Sequence, residues 1–483
     1  MLFTIISFII FLPSLTSSSE TWIKVGSWFS FGQFPVADID TTLFTHLTFG
    51  FALINSSTYE LRIASDNEPS MSTFTQVVQQ KNPSIVTLLS ILVQSAVGDT
   101  NLSTFYSMAT QPSHRTSFIE SSIYRARHFG FHGLDLCCVT PDTSTTKMEA
   151  LGILFDEWRT AINRESKNST QPPLILTMAG HYLPSKNTTS YPMESIRRNI
   201  DWVHIVSYFY HLPTMENFTG AHSALYDPSS NVCTDYGIKE WISRGLPAKK
   251  MVLGLLYQGY AWTLLDPSAN EIGSPATGPA ITSDGLIFYK SIKSSMGCDG
   301  EKVRYNSTYV TNYCINGSVW ISYDDAEAIR TKVSYAREKG LLGYKAWHVG
   351  NDDNWVLSKA AAATWFPHFV VLGILRDDMG ADLLLSNSSC CRAYKQNGLN
   401  TNSLNVRFTF TLSSFHLPLP HFRTFVFSSW DPALILGGRR PPSYHEVSLD
   451  ERKLGLSNEV IARTGPFKRG HEMEVQVHLP SIP

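Results

Sequence analysis

The sequence has little charge, few cysteines and, after its first twenty residues, no long apolar run. Charged residues make up 17% of the 483 residues, and Lys+Arg 39 against Asp+Glu 41 leave a net charge of -2. Nucleic-acid binding needs a basic surface, so this balance argues against it. No apolar window is long enough to span a membrane, so we expect none in the mature chain. Hydrophobic residues, at 43%, are sufficient for a large core and exclude wholesale disorder.

The cysteines show no metal-binding pattern. There are seven, at Cys137, Cys138, Cys233, Cys298, Cys314, Cys390 and Cys391. No CxxC or Cys/His spacing suggests a metal site, so we expect no metal. An odd count leaves at least one cysteine unpaired. Cys298 and Cys314 can pair across a short loop, whereas Cys137 and Cys138, adjacent in a strand, should point to opposite faces and bridge each other poorly.

The amino terminus has the pattern of a secretory signal. Residues Leu2 to Leu12 are apolar except for Thr4 and Ser7, and Pro13 and the small residues Ser14 to Ser19 follow. This run is too short to span a membrane, so we interpret residues 1–19 as a cleaved signal peptide, although no Lys or Arg precedes it. Eight Asn-x-Ser/Thr sequons also fit a secreted, extracellular glycoprotein: Asn55, Asn101, Asn168, Asn187, Asn217, Asn306, Asn316 and Asn387.

Short β-type runs recur along the chain at long intervals. Each is nearly continuous in apolar residues, as a strand must be when both of its faces are buried. The eight runs are Ile23–Trp28, Leu47–Leu53, Ile85–Leu92, Gly133–Val139, Leu174–Ala179, Val203–Tyr210, Met251–Tyr257 and Gly343–Val349.

Helical patterns lie between several of these runs. Apolar side chains spaced three and four residues apart form two stripes, Met148, Leu151, Phe155, Trp158 and Ile162, then Ala326, Ile329, Val333 and Ala336. Asp324 with Glu327 forms a capping pattern before the second stripe, and Gly340 is placed to end it. Eight strand–helix units predict an α/β fold, a (β/α)8 TIM barrel. The competing architecture is an open doubly wound sheet, but no Gly-rich phosphate loop follows the first strand to support it.

Two regions depart from this alternation. Residues from about 261 to 320, between the seventh and eighth runs, are rich in Gly, Pro, Ser, Thr and Tyr, which indicates a small inserted β-containing subdomain. After Phe366 the pattern ends, and residues 367–483 form a tail that we cannot assign to a domain and that could be disordered.

Polar residues at the carboxyl ends of barrel strands carry the chemistry in this architecture. The fourth run reads His132, Gly133, Leu134, Asp135, Leu136, Cys137, Cys138, Val139. With a period of two, Asp135, Cys137 and Val139 should share the face that lines the barrel interior. His132 and Cys137 would point to opposite faces, which argues against a metal pair.

At this strand the chain resembles glycoside hydrolase family 18. The segment "GFHGLDLCCV" resembles the family's DGxDxDxE signature, and "FPVADIDTTLFTHLTFGFA", "DWVHIVSYFY", "GLPAKKMVLGLLYQGYAW" and "YDDAEAIRTKVSYAREKGLLGYKAWHVGNDDN" look like segments of plant class V chitinases. The resemblance covers residues 22 to 366 and implies a barrel with an α+β insertion before the eighth strand.

The resemblance also implies which residues should act. In the family the last Glu of the signature protonates the glycosidic oxygen, while the substrate's acetamido group, oriented by the preceding Asp, acts as nucleophile. Matched position by position, the acid falls on Val139, the orienting Asp on Cys137 and the first Asp on His132, so only Asp135 is retained. Without a proton donor the leaving group departs slowly, and we expect no efficient hydrolysis.

The family's aromatic positions are better preserved. Trp347, in "YKAWHVG", matches the Trp that floors the central sugar subsite, and Trp28, Tyr208, Tyr257, Tyr260 and Trp262 are the other candidate sugar-binding residues. The alternative is that these aromatics pack the barrel. For Asp135 the alternatives are a sugar contact or a buried structural carboxylate bonded to Ser or Tyr hydroxyls.

Three functions are consistent with this pattern. The leading one is a secreted, non-hydrolytic chitinase-like protein that binds chitin or N-acetylglucosamine oligosaccharides, without a cofactor. The others are an active chitinase cleaving β-1,4 N-acetylglucosamine linkages and a protein-interaction module, related to inhibitors or receptor ectodomains, with a protein partner.

Overall fold

The computed structural model describes residues 22–30, 34–93, 102–298 and 302–363, together with short strands after residue 372. The chain divides into two units, Met1–Trp365 and Phe366–Pro483. The predicted signal peptide, residues 1–19, lies outside the described residues, as do the sequon residues Asn101 and Asn387.

The first unit contains seventeen described strands. They are β1 (Ile23–Phe29), β2 (His46–Ile54), β3 (Leu61–Ile63), β4 (Val86–Leu92), β5 (Gly133–Val139), β6 (Ile175–His181), β7 (Ser185–Lys186), β8 (Thr189–Ser190), β9 (Trp202–Val206), β10 (Met251–Leu256), β11 (Gln258–Leu264), β12 (Ala276–Pro279), β13 (Leu286–Phe288), β14 (Val303–Asn306), β15 (Thr311–Asn316), β16 (Val319–Tyr323) and β17 (Gly343–Trp347).

Eight parallel strands close into a barrel. Their order is β1-β17-β10-β9-β6-β5-β4-β2, and β1 pairs with β2 to complete the ring. The predicted TIM barrel is confirmed, and each of the eight predicted runs overlaps one of its strands. The sixth run is shorter than predicted, because β9 ends at Val206 and leaves Tyr208 in the loop that follows.

Helices pack around the barrel. They are α1 (Glu68–Lys81), α2 (Leu102–Thr110), α3 (Pro112–His128), α4 (Thr145–Ser169), α5 (Met193–Asn199), α6 (Thr234–Ser243), α7 (Tyr289–Ser295), α8 (Ala326–Glu338) and α9 (Val356–Ala363). All five residues of the first predicted stripe are buried on α4, as the spacing of three and four requires. None of these described helices has the length and apolar character needed to cross a bilayer.

The amino-terminal cap of α8 differs from the prediction by one residue. Asp325, not Asp324, accepts hydrogen bonds from the backbone N–H groups of Glu327 and Ala328. Asp324 is instead buried and pairs with Lys332, nearly two turns into the helix. The helix ends before Gly340 as predicted, and Gly340 has the positive φ of 68° that favours glycine there.

The predicted insertion is an antiparallel sheet followed by the last strand–helix unit. Strands β12-β11-β16-β15-β14 lie in that order, β13 also pairs with β11, and α7 lies between β13 and β14. A disulfide joins Cys298 to Cys314, as predicted. The sheet begins at Gln258 and ends at Tyr323, so it is slightly longer than the predicted range of 261–320.

The second unit is described only as strand backbone. Four strands form one antiparallel sheet and three form another: Gly373–Arg376, Asp382–Leu385, Arg407–Phe410 and Phe427–Ser428, then His445–Val447, Ala462–Thr464 and Gln476–Val477. The remaining residues of the tail lie outside the described part of the chain, so our prediction for residues 367–483 stays a prediction.

Candidate functional site

A fully buried carboxylate lies inside the barrel. Asp135, on β5, is 0% exposed. It accepts hydrogen bonds from Ser90 Oγ at 2.9 Å, Thr177 Oγ1 at 2.6 Å and Lys345 Nζ at 2.9 Å. His204 Nε2 lies 3.4 Å from Asp135 Oδ1. These partners come from β4, β6, β17 and β9, so the carboxylate joins four strands across the barrel interior.

This environment keeps Asp135 ionised. Burial raises the pKa of its carboxyl, but the positive charge of Lys345 and the hydrogen bond from Thr177 outweigh it and hold the pKa well below the usual value. An acid with a depressed pKa is a poor proton donor near neutral pH. The geometry therefore supports the structural interpretation of Asp135. A Ser hydroxyl was predicted as its partner, whereas a Thr hydroxyl takes the place of the predicted Tyr and the lysine was not predicted.

The histidines in this part of the barrel are neutral near pH 7. Burial and the nearby Lys345 lower the pKa of His204 to about 4, and burial, His204 and His132 lower the pKa of His46 to about 4. His132 precedes β5, at the opposite end of the strand from Val139, and its Nδ1 accepts the backbone N–H of Thr87 at 3.1 Å. His132 is thus a structural residue at the amino end of the barrel.

The carboxyl end of β5 contains a β-bulge. Leu136 pairs with Met178, and the next paired residues are Val139 and Gly180. The chain advances by three residues on β5 and by two on β6, so β5 carries one extra residue. Cys138 has a φ of 70°, in the left-handed region. The extra residue interrupts the alternation of side chains along the strand.

Because of the bulge, two predictions that assumed regular alternation of side chains along β5 are wrong. Cys137 and Cys138 are disulfide-bonded to each other, because the left-handed conformation at Cys138 removes the opposite orientation that a regular strand would impose. Val139 does not share the interior face with Asp135. It is completely buried in the main apolar core and does not line the chamber described below. Its partner Gly180 also faces outward, since an added Cβ there would meet Trp241 of α6 at 2.9 Å.

A small chamber lies at the carboxyl ends of β5, β6, β9, β10 and β17. Its volume is about 30 Å³, which is room for about two water molecules. No Asp or Glu occurs among the described residues that line it, which are Cys137, Cys138, Ala179, His204, Ile205, Val206, Tyr208, Phe209, Gly254, Lys345 and Trp347.

Two of the predicted sugar-binding aromatics line this chamber. Trp347 is partly exposed, and the ring of Phe29 meets it edge-on at 4.5 Å between centroids. Tyr208 is buried, and its ring fits closely against Gly254, where an added Cβ would lie 2.8 Å from Tyr208 Cε1. Burial raises the pKa of the Tyr208 hydroxyl, so this group is neutral.

The other four predicted aromatics do not line the chamber. Trp28 donates from Nε1 to the carbonyl of Phe34 at 2.8 Å and packs in the main core, and Tyr257 is 0% exposed in the same core. Tyr260 and Trp262 are buried in one cluster with Tyr208, and Trp347 packs against that cluster. All four are buried, so a sugar contact for them stays a prediction.

The sequence pattern did not predict several residues of the chamber, among them Lys345, His204 and Phe209. Lys345 and His204 occur within apolar strands, and a charged or polar residue in such a run is itself a signal of an interior polar network. Phe209, which packs edge-on against Tyr208 at 4.7 Å, follows the strand with a φ of 67°. Nothing in its local sequence indicates that conformation.

The remaining predicted sites lie at the surface. The six sequon asparagines within the described residues are partly or fully exposed: Asn55, Asn168, Asn187, Asn217, Asn306 and Asn316. Asn55 also lines a second, polar cavity of about 170 Å³ beside the β2–β3 hairpin. Among residues the structure describes, no group of three His, Cys, Asp or Glu side chains is arranged to hold a metal.

The barrel, the insertion before its last strand and the position of the chamber define a family 18 glycosyl hydrolase fold. Residues 20–352 match the model of glycosyl hydrolases family 18, and the chain belongs to this family.

Within the family, the similarity is to plant class V chitinases. A class V chitinase of Arabidopsis thaliana is 44% identical over 362 residues, which are 75% of this chain and 94% of that protein. The crystal structure of a class V chitinase mutant from Nicotiana tobaccum in complex with NAG4 is 43% identical, with a TM-score of 0.68 over 72% of this chain and 99% of that one. The chitinase-like agglutinin from Robinia pseudoacacia is 40% identical, with a TM-score of 0.66 over 71% and 100%.

Proposed function

We propose that this protein is a non-hydrolytic member of family 18 that binds chitin or N-acetylglucosamine oligosaccharides at the carboxyl ends of its barrel strands. One observation carries the first part of this proposal. Among the described residues, the chamber has no carboxylate in its wall, and the nearest interior carboxylate, Asp135, is held by Lys345, Ser90 and Thr177.

Glycoside hydrolysis needs a proton donor beside the leaving oxygen. A positioned general acid contributes roughly 10²- to 10⁴-fold to the rate. Val139 has no proton to give, and its side chain is buried in the main core and does not line the chamber. Asp142, the next acid along the chain, is bound to Lys147 at 2.8 Å at the start of α4. Neither residue supplies an acid to the chamber.

Trp347 supports the binding part of the proposal. Sugar rings have an apolar C–H face that stacks on aromatic rings, and this contact needs no catalytic group. Two aromatic residues of the chamber, Trp347 and Phe209, are partly exposed, and Trp347 has the larger ring face. The chamber itself is far too small for a sugar ring, so we place the oligosaccharide on the rim, against Trp347. The NAG4 complex of the tobacco relative and the description of the Robinia relative as an agglutinin support a carbohydrate ligand.

We also infer that the protein is secreted. The apolar segment at residues 2–12 and the small residues after it support a signal peptide. The exposed sequons and the Cys298–Cys314 disulfide are compatible with an oxidising compartment.

Titration calorimetry with chitin oligomers, followed by product analysis, tests the proposal. We expect heat of binding and no shortened oligomers. Absence of heat at millimolar ligand would refute binding. Release of reducing ends from a fluorogenic chitin oligomer, if it is lost in Trp347→Ala, would show an active chitinase and refute the non-hydrolytic assignment.

A further inference from the structure

The Cys137–Cys138 disulfide has no role in the function proposed above, yet both residues form part of the chamber wall. Cys137 is completely buried, whereas Cys138 is partly exposed. A solvent thiol therefore reaches the sulfur of Cys138 first. The Cys298–Cys314 disulfide differs, because its cysteines are only 1% and 0% exposed.

We propose that the Cys137–Cys138 pair is a thiol-reactive site for low-molecular-weight thiols, and that its redox state controls oligosaccharide binding at Trp347. The site itself is independent of the proposed function, whereas its control of binding depends on that function.

The reaction is a two-electron thiol–disulfide exchange. A thiolate forms a bond to Cys138 Sγ, the bond between the two cysteines breaks, and its electron pair leaves on Cys137 Sγ, which then takes a proton. A second thiolate attacks the added sulfur, releases the Cys138 thiol and leaves a small-molecule disulfide. Two small thiols are oxidised and one protein disulfide is reduced.

The charges around Cys137 do not oppose its departure. Lys345 lines the same chamber and is paired with Asp135 at 2.9 Å, so these two buried charges compensate each other. Within the described part of the chain, no carboxylate lines the chamber to repel a thiolate that forms there.

Reduction needs space that the chamber lacks. Bonded sulfurs lie about 2 Å apart, whereas non-bonded heavy atoms require roughly 3.5–4.0 Å. The chamber has a volume of only about 30 Å³. The separated sulfur of Cys138 must therefore take up most of this space or move toward the rim, and in either case it shifts beside Trp347, which lines the same chamber. We expect the reduced protein to bind chitin oligomers on the order of tenfold more weakly.

Mass spectrometry of the native full-length chain tests the site. The protein is incubated with a monothiol, trapped with an alkylating reagent and digested. We expect alkyl groups on Cys137 and Cys138 at thiol concentrations that leave Cys298 and Cys314 unmodified, and the same result in the matched variant Cys233→Ser. Labelling of all four cysteines together, or of neither pair before unfolding, would overturn the site.

Calorimetry on the oxidised and reduced forms tests the control of binding. The double variant Cys137→Ser with Cys138→Ser should bind like the reduced form whether or not thiol is present. Equal affinity in both forms of the wild-type protein would overturn the control. Absence of binding in both forms would overturn the control together with the proposed function, while the labelling result would still decide the thiol site.

Discussion

The ammonium group of Lys345 lies 2.9 Å from Asp135 Oδ2, and both side chains are buried inside the barrel. Lys345 is on β17 and Asp135 on β5, on opposite arcs of the ring. Lys345, Ser90 and Thr177 all donate hydrogen bonds to the Asp135 carboxylate. A residue that sequence similarity associates with catalysis here joins strands of the barrel.

Asp135→Asn should strongly destabilise the protein. The substitution leaves the Lys345 ammonium buried without its counter-ion, and breaking a buried ion pair in this way costs about 3–5 kcal/mol. Urea unfolding followed by tryptophan fluorescence measures the change. Glu194→Gln is the matched control, because it removes one partner of the exposed Arg197–Glu194 pair and should leave the midpoint unchanged. Equal midpoints for wild type and Asp135→Asn would contradict a structural role.

Stability should fall as the pH is lowered from 6.5 toward 4. Burial lowers the pKa of both His46 and His204 from 6.5 to about 4. In this window the unfolded chain binds protons that the folded chain does not, so protonation favours unfolding. Over this window the free energy of unfolding should fall by on the order of a few kcal/mol for the two histidines together.

Denaturant titrations at stepped pH values measure this slope. His46→Gln should reduce it, whereas His128→Gln, which changes an exposed histidine, should not. A stability that is constant over the window would show that the two barrel histidines titrate alike in the folded and unfolded states.

Trp347→Ala should abolish binding of chitin oligomers while leaving the fold intact, because the ring is partly exposed at the rim of the chamber. Circular dichroism checks that the variant is folded, and calorimetry measures binding. The control is Trp262→Phe, which changes a completely buried ring in the insertion core. Trp262→Phe should lower stability and keep binding. Loss of binding in Trp262→Phe with normal binding in Trp347→Ala would place the sugar site in the insertion.

Val139→Glu should not create a hydrolase. The side chain at this position lies in the apolar cluster with Leu151 and Phe155, so a carboxylate there is buried without a partner, at a cost on the order of several kcal/mol. Val139→Ala, which only removes methyl groups, should cost about 1–3 kcal/mol. Unfolding curves measure the stability of both variants, and a reducing-end assay measures hydrolysis by Val139→Glu. A stable, hydrolytic Val139→Glu protein would show that the strand end turns inward.

Most of the barrel could be predicted from the sequence because strands buried on both faces form apolar runs. The stripe from Met148 to Ile162 identified α4 for the same reason, since burial imposes its own period. The insertion was recognisable from composition, and the Cys298–Cys314 pair from spacing.

The site was less predictable, because side-chain direction there depends on irregular backbone. The period of two fails at Cys138 with its φ of 70°, so Val139 was assigned to the wrong face and the Cys137–Cys138 disulfide was not expected. Trp28 and Tyr257 were predicted to contact sugar because strand position alone does not distinguish a rim residue from a core residue. The partner of Asp135, Lys345, is 210 residues distant along the chain and could be found only from the closed ring.

The bulge in β5 also affects how such a chain could change during evolution. A substitution replaces a side chain but leaves the extra residue between Leu136 and Val139 in place. An acid introduced at position 139 alone would therefore stay among buried apolar side chains, and it would face the chamber only after a shift in strand register. Under the function proposed above, the backbone of β5, and not only the identity of its side chains, opposes a return to hydrolysis.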